Sequence, residues 1–138
     1  MTYDNPKFGM NRGLEKRMFE LEKSFNFEAG HVLINHDGKC SIPHGDSYQL
    51  IVHISTPHLI ASGPKKNMVI DFQDVNTIVK PMINQYLDHK WLNDTLNSDT
   101  PTAEFIAKWI FDYLEPSLPG LHAITVYETA TSKVIYRR

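Results

Sequence analysis

What this 138-residue chain lacks narrows the field first. It has a single cysteine, Cys40, so no internal disulfide can form, and a reducing, cytoplasmic setting is expected. No apolar run approaches the ~20 residues needed to span a bilayer, and the N-terminus has no apolar signal-peptide core. No membrane partner is expected. Basic residues are not in excess either: 14 Lys and Arg stand against 16 Asp and Glu, for a net charge of −2. Nucleic-acid binding calls for a clustered surplus of cations. The pairs Lys65-Lys66 and Arg137-Arg138 are too short for that and fit a solvated loop and terminus. Internal repeats and low-complexity tracts are absent. The length suits one domain, residues 18–138, preceded by a polar arm over residues 1–17 with a helical turn expected near Leu14–Met18.

Alternation is the first positive signal. Between Met18 and Ala29, Phe19, Leu21, Phe25, Phe27 and Ala29 share one parity, while Glu20, Glu22, Ser24, Asn26 and Glu28 share the other. That period predicts a half-buried strand. Asn35-His36-Asp37-Gly38 follows as a turn. A second strand is predicted from Asp46 to Ser55, with Tyr48, Leu50, Val52 and Ile54 on one face. Apolar spacing of three and four then predicts a helix from Asp71 to Tyr86, capped by Asp71 and loosened by Pro81. Thr100 as cap and Pro101 as first residue open a second helix. Its stripes Phe105/Trp109/Tyr113 and Ile106/Ile110/Leu114 predict a broad buried face. Two strands, 121–129 and 133–138, close the chain. The order ββααββ predicts an α+β domain: an antiparallel four-stranded sheet with both helices on one face.

Antiparallel pairing of the first two strands brings the end of one against the start of the other. His31, His44 and Asp46 continue the apolar parity to one rim of the sheet, whereas His53 has the opposite parity. Two imidazoles and a carboxylate leaving a position open have the composition of a catalytic metal centre; solvated loop histidines are the plainer alternative. Cys40 lies in the connecting loop, either as a small half-buried hydrophobe or as a thiolate general base. Asp88-His89, beyond a helix end, fits dipole compensation or an acid–base pair. Glu128 extends the apolar parity of its strand. It is a solvated carboxylate or, facing a pocket, an acceptor of two parallel hydrogen bonds.

An ordered set of motifs adds to this reading. Phe-x-Ala-x-His, here Phe27-Glu28-Ala29-Gly30-His31, is followed by Cys40, His44-Gly45, Ile70-Asp71-Phe72, Leu87-Asp88-His89, Leu92-Asn93-Asp94, Pro101-Thr102-Ala103-Glu104 and Tyr127-Glu128-Thr129. Over residues 18–138 the chain resembles the 6-pyruvoyl-tetrahydropterin synthase/6-carboxytetrahydropterin synthase family.

The resemblance implies the tunnelling fold (T-fold) and a homohexamer, a dimer of trimers, with pterin sites between subunits. It implies one Zn²⁺ per subunit on His31, His44 and position 46. Cys40 is implied as the proton-abstracting base, Asp88 and His89 as its relay, and Glu128 as the pterin anchor. The implied substrate is 7,8-dihydroneopterin triphosphate. Three residues separate Cys40 from His44. That short spacing resembles the queuosine-pathway branch, which forms 6-carboxy-5,6,7,8-tetrahydropterin with release of acetaldehyde and triphosphate. The alternatives are a pyruvoyl-forming synthase and a non-catalytic pterin binder. One departure stands out: the family's His-Gly-His is His44-Gly45-Asp46 here.

Overall fold

The computed structural model describes residues 19–138; the N-terminal arm and its expected helical turn lie outside them. Strand β1 (Phe19–His31) pairs antiparallel with β2 (His44–Thr56) along its whole length, from Phe19 opposite Thr56 to His31 opposite His44. Helix α1 (Phe72–Met82), a short strand β3 (Lys90–Trp91), a short helix α2 (Leu92–Thr95) and helix α3 (Ala103–Leu114) follow. Strands β4 (Leu121–Thr129) and β5 (Ser132–Arg137) complete the chain. The sheet order is β3-β1-β2-β4-β5.

The α+β class and the helix-covered face are as expected, but the sheet has five strands, not four. The fifth is β3, which runs parallel to β1 through Ala29–Lys90 and Gly30–Trp91. Two residues carry too little pattern to register as a strand in the sequence; only the return of the chain past β1 creates the pairing. Both long strands also extend further than their apolar alternation, to His31 and from His44, which places the ligand-bearing residues inside the ladder.

The core follows the alternation. Phe25, Phe27 and Ala29 of β1 meet Tyr48, Leu50, Val52 and Ile54 of β2 and Ile124 and Val126 of β4, all buried. Helix α1 adds Val75, Val79 and Met82, and α3 adds Ile106, Ala107, Ile110, Phe111 and Leu114. Each fully buried side chain of this size contributes about 1.5–3 kcal/mol. Three expected core positions differ: Phe19, at the strand's open end, is exposed, and so are Phe105 and Tyr113 at the edge of α3. The stripe built on Trp109 and Tyr113 is an aromatic ledge with Tyr86, with ring centroids 5.3–5.4 Å apart.

Asp71 caps α1 as expected, accepting from the Gln73 N–H at 2.8 Å. Immediately after Pro81 and Met82 the helix widens into a π turn, Ile83–Leu87, closed by Asp88 N–H donating to the Ile83 carbonyl at 2.8 Å. Proline withholds a ladder donor, and the looser turn accommodates the loss. The cap of α3 is Thr102, not Thr100: its hydroxyl accepts from Phe105 N–H at 3.1 Å. Pro101 therefore precedes the helix and its carbonyl is free for another use. No helix among the described residues is long and apolar enough to cross a membrane.

Candidate metal and pterin site

The strand register brings His31 and His44 face to face at the sheet rim, and Asp46 sits opposite Ala29 on the same side. His31 Nε2 lies 3.0 Å from Asp46 Oδ2 and 3.2 Å from Glu128 Oε2. His44 Nε2 lies 3.3 Å from the same Asp46 oxygen. The ligating atoms of His31, His44, Asp46 and Glu128 all fall within 4.8 Å of one another.

Both rings are oriented from behind. His31 Nδ1–H donates to the Pro101 carbonyl at 2.9 Å, and His44 Nδ1–H donates to the Ile42 carbonyl at 2.8 Å. Each bond fixes the tautomer that turns an Nε2 lone pair toward the carboxylates, the arrangement typical of metal-bound histidines. Two lone pairs facing two carboxylates repel unless a proton or a cation lies between them. The residues present therefore fit a divalent metal, with two imidazoles and two carboxylate oxygens available.

Burial alone lowers the His31 pKa. Hydrogen bonds to Glu128, Pro101 and Asp46 outweigh it and leave the group raised. The same bond from His31 holds Glu128 below its ordinary range despite partial burial. Tyr48 stacks on Phe27, and its hydroxyl lies 3.2 Å from His31 Nε2. Burial, then the charges of Glu128, Asp46 and Cys40, push its phenol well above the usual range.

Sequence reasoning brought His31, His44 and Asp46 to this rim, but not Glu128 or the supports behind them. Pro101 was expected inside a helix, and Tyr48 only in the core. Asn93 was quoted only within a motif; its amide accepts from Val32 N–H at 2.9 Å and donates to the Val32 carbonyl at 2.8 Å, fixing the residue after His31. No one-dimensional pattern marks contacts across 61 to 70 residues. Glu128, read from the sequence as a solvated carboxylate or one facing a pocket, lies in contact with His31.

Cys40 is half-buried in a single 3₁₀ turn, Lys39–Ser41, and its carbonyl accepts from Leu33 N–H at 2.8 Å. Asp88 and His89 lie elsewhere. The Asp88 carboxylate accepts from Glu28 N–H at 2.9 Å and from His89 Nδ1 at 3.0 Å, while His89 holds φ of 58° and is largely exposed. Among the described residues, no hydrogen bond or ion pair links this pair to Cys40 or to the histidine rim. His89 instead lines a cleft of about 430 Å³ with Glu28, Gly30, Gly45, Asp46 and Trp91.

A five-stranded α+β sheet with an imidazole–carboxylate rim defines a T-fold protein with a candidate metal centre. The 6-pyruvoyl tetrahydropterin synthase family model matches residues 20–138, and the chain belongs to that family. It is 42% identical over 120 residues to a 6-carboxy-5,6,7,8-tetrahydropterin synthase of Synechocystis, covering 86% of this chain and 93% of that protein. A protein of the same name from Haemophilus influenzae is 39% identical over 141 residues, covering 87% and 99%. Among solved structures, 6-pyruvoyl tetrahydropterin synthase of Caenorhabditis elegans superposes with a TM-score of 0.75 at 22% identity, covering 89% of this chain and 99% of that one.

Proposed function

We propose that the protein is a metal-dependent 6-carboxy-5,6,7,8-tetrahydropterin synthase, a cytoplasmic lyase acting on 7,8-dihydroneopterin triphosphate with release of acetaldehyde and triphosphate. The observation that carries this reading is the pair of backbone-anchored imidazoles, His31 and His44, converging on Asp46. The relatives named for that activity, at 42% and 39% identity, support it.

His31, His44 and Asp46 would hold the ion, with Zn²⁺ as the expected metal. Bound there, it would act as a Lewis acid toward the side-chain hydroxyls of the substrate. The chain's own residues do the rest. Glu128, held ionised, accepts hydrogen bonds from the amino-pyrimidinone edge and fixes the ring at the rim. Cys40, from the loop beside the rim, takes a proton from the substrate side chain as thiolate, opening the way to triphosphate loss. His89, oriented by Asp88, carries protons as the acid–base partner. That pair makes no hydrogen bond or ion pair with Cys40 within one chain, which supports a homohexamer with sites between subunits, in which a neighbouring subunit supplies it.

The deciding experiment incubates the metal-replete protein with dihydroneopterin triphosphate and follows acetaldehyde and pterin products. Carboxypterin with stoichiometric acetaldehyde is expected. A pyruvoyl product would move the protein to the other branch. Tight pterin binding without turnover would make it a non-catalytic relative.

A further inference from the structure

The sheet face turned away from the helices carries a second convergence of ligating groups. Side chains alternate along β1 and β2, so Glu20, Glu22 and His53 lie on the face opposite His31. Glu22 pairs directly with His53 across the strands. His53 Nδ1 lies 3.4 Å from Glu22 Oε2 and 3.5 Å from Glu20 Oε2, and the three ligating atoms fall within 4.8 Å of one another. His122, on β4, brings its Nε2 to 2.8 Å from the same Glu20 oxygen, and its ring stands edge-on to His53 at 6.0 Å.

Several features set this group apart from a solvated charge pair. The His53 side chain is only 10% exposed. Its Nε2 is engaged by the hydroxyl of buried Thr125 at 2.7 Å, which leaves Nδ1 as the atom facing both carboxylates. The spacing is also telling. A charge-assisted hydrogen bond closes to about 2.7–2.9 Å, whereas two ligands at about 2.0–2.2 Å from a tetrahedral ion stand about 3.4 Å apart. The Nδ1–carboxylate distances of 3.4 and 3.5 Å accommodate the second case.

We propose that Glu20, Glu22 and His53 form a second divalent-metal site, for an ion of the zinc class, with Thr125 orienting His53 and His122 orienting Glu20. One imidazole and two carboxylates satisfy such an ion with a position left for water. The site draws on β1 and β2, with β4 beside them, and so fastens three neighbouring strands on the face that no helix among the described residues covers.

The full chain, stripped with a chelator, is titrated with Zn²⁺ against a chromophoric competitor and with Co²⁺ by visible absorption. Two equivalents per chain are expected for the wild type. E22Q should bind one, with affinity at the second site lowered at least about tenfold. Glu22 is 57% exposed, so this variant keeps its fold even if a His53 variant does not. Asp46→Ala should retain the equivalent held by Glu20, Glu22 and His53, which separates this proposal from the fate of the site at His31. His122→Ala should weaken the second site about tenfold, and unchanged affinity would remove its orienting role. A wild type whose bound equivalent is lost in Asp46→Ala, or an E22Q variant that binds as much metal as the wild type, would overturn the proposal.

Discussion

His31 is held between two backbone-distant partners: its Nδ1–H donates to the Pro101 carbonyl at 2.9 Å, and its Nε2 faces Asp46 Oδ2 at 3.0 Å. The first contact sets the tautomer that makes the second a ligand geometry. Asp46 occupies the position where the family's motif has histidine, and here it serves both imidazoles through one oxygen. A carboxylate at this place would bring negative charge to a metal bound there and temper its Lewis acidity. Asp46→Ala should lower affinity at this centre more than about 100-fold and abolish turnover, as elemental analysis and product assay will report.

Cys40 is proposed as the base, and that role is separable from binding. Cys40→Ala should reduce turnover about 10²–10⁴-fold, the usual worth of a positioned base, while pterin affinity measured by fluorescence stays within a few-fold. Unchanged turnover would take Cys40 out of the mechanism.

Glu128 touches His31 yet is assigned to the pterin. Glu128→Gln discriminates between the two roles. As an anchor, it loses charged hydrogen bonds worth about 1.5–3 kcal/mol, so pterin affinity falls about 10- to 100-fold with metal content intact. Loss of the metal instead would make Glu128 a ligand.

Asp88 is held below its ordinary carboxylate range, first by the Glu28 N–H and then by His89. A carboxyl group with a lowered folded pKa contributes stability that is present above its unfolded value and lost as pH falls through the folded value. The junction of β1 with β3 should therefore loosen only below the ordinary carboxylate range. Asp88→Asn should flatten that part of the acid limb. Amide exchange at Glu28 and His89 against pH measures it; identical profiles for the two proteins would refute it.

Gly120 turns the chain into β4 with φ of 86°, and a Cβ there would stand 2.9 Å from the Ser55 carbonyl oxygen. Gly120→Ala should cost about 1–3 kcal/mol, read as a lower midpoint in urea. A midpoint equal to the wild type would show that the turn relaxes freely.

Alternation along β1 and β2 was enough to place Phe25, Phe27, Tyr48 and Leu50 in the core and to bring His31, His44 and Asp46 to one rim, because side-chain parity and antiparallel register are local rules. Those rules also put His53 on the other face, where its neighbours matter separately. The sequence motifs named the family. Contacts between distant segments were beyond that reach. Strand β3 exists only because the chain returns beside Ala29, and Pro101 serves His31 because the cap of α3 falls on Thr102 rather than Thr100. Asn93 clamps Val32 from 61 residues away. That Asp88-His89 makes no hydrogen bond or ion pair to Cys40 is likewise a tertiary fact. Periodicity determines which side of an element a residue occupies; which other element arrives there depends on packing the whole sheet.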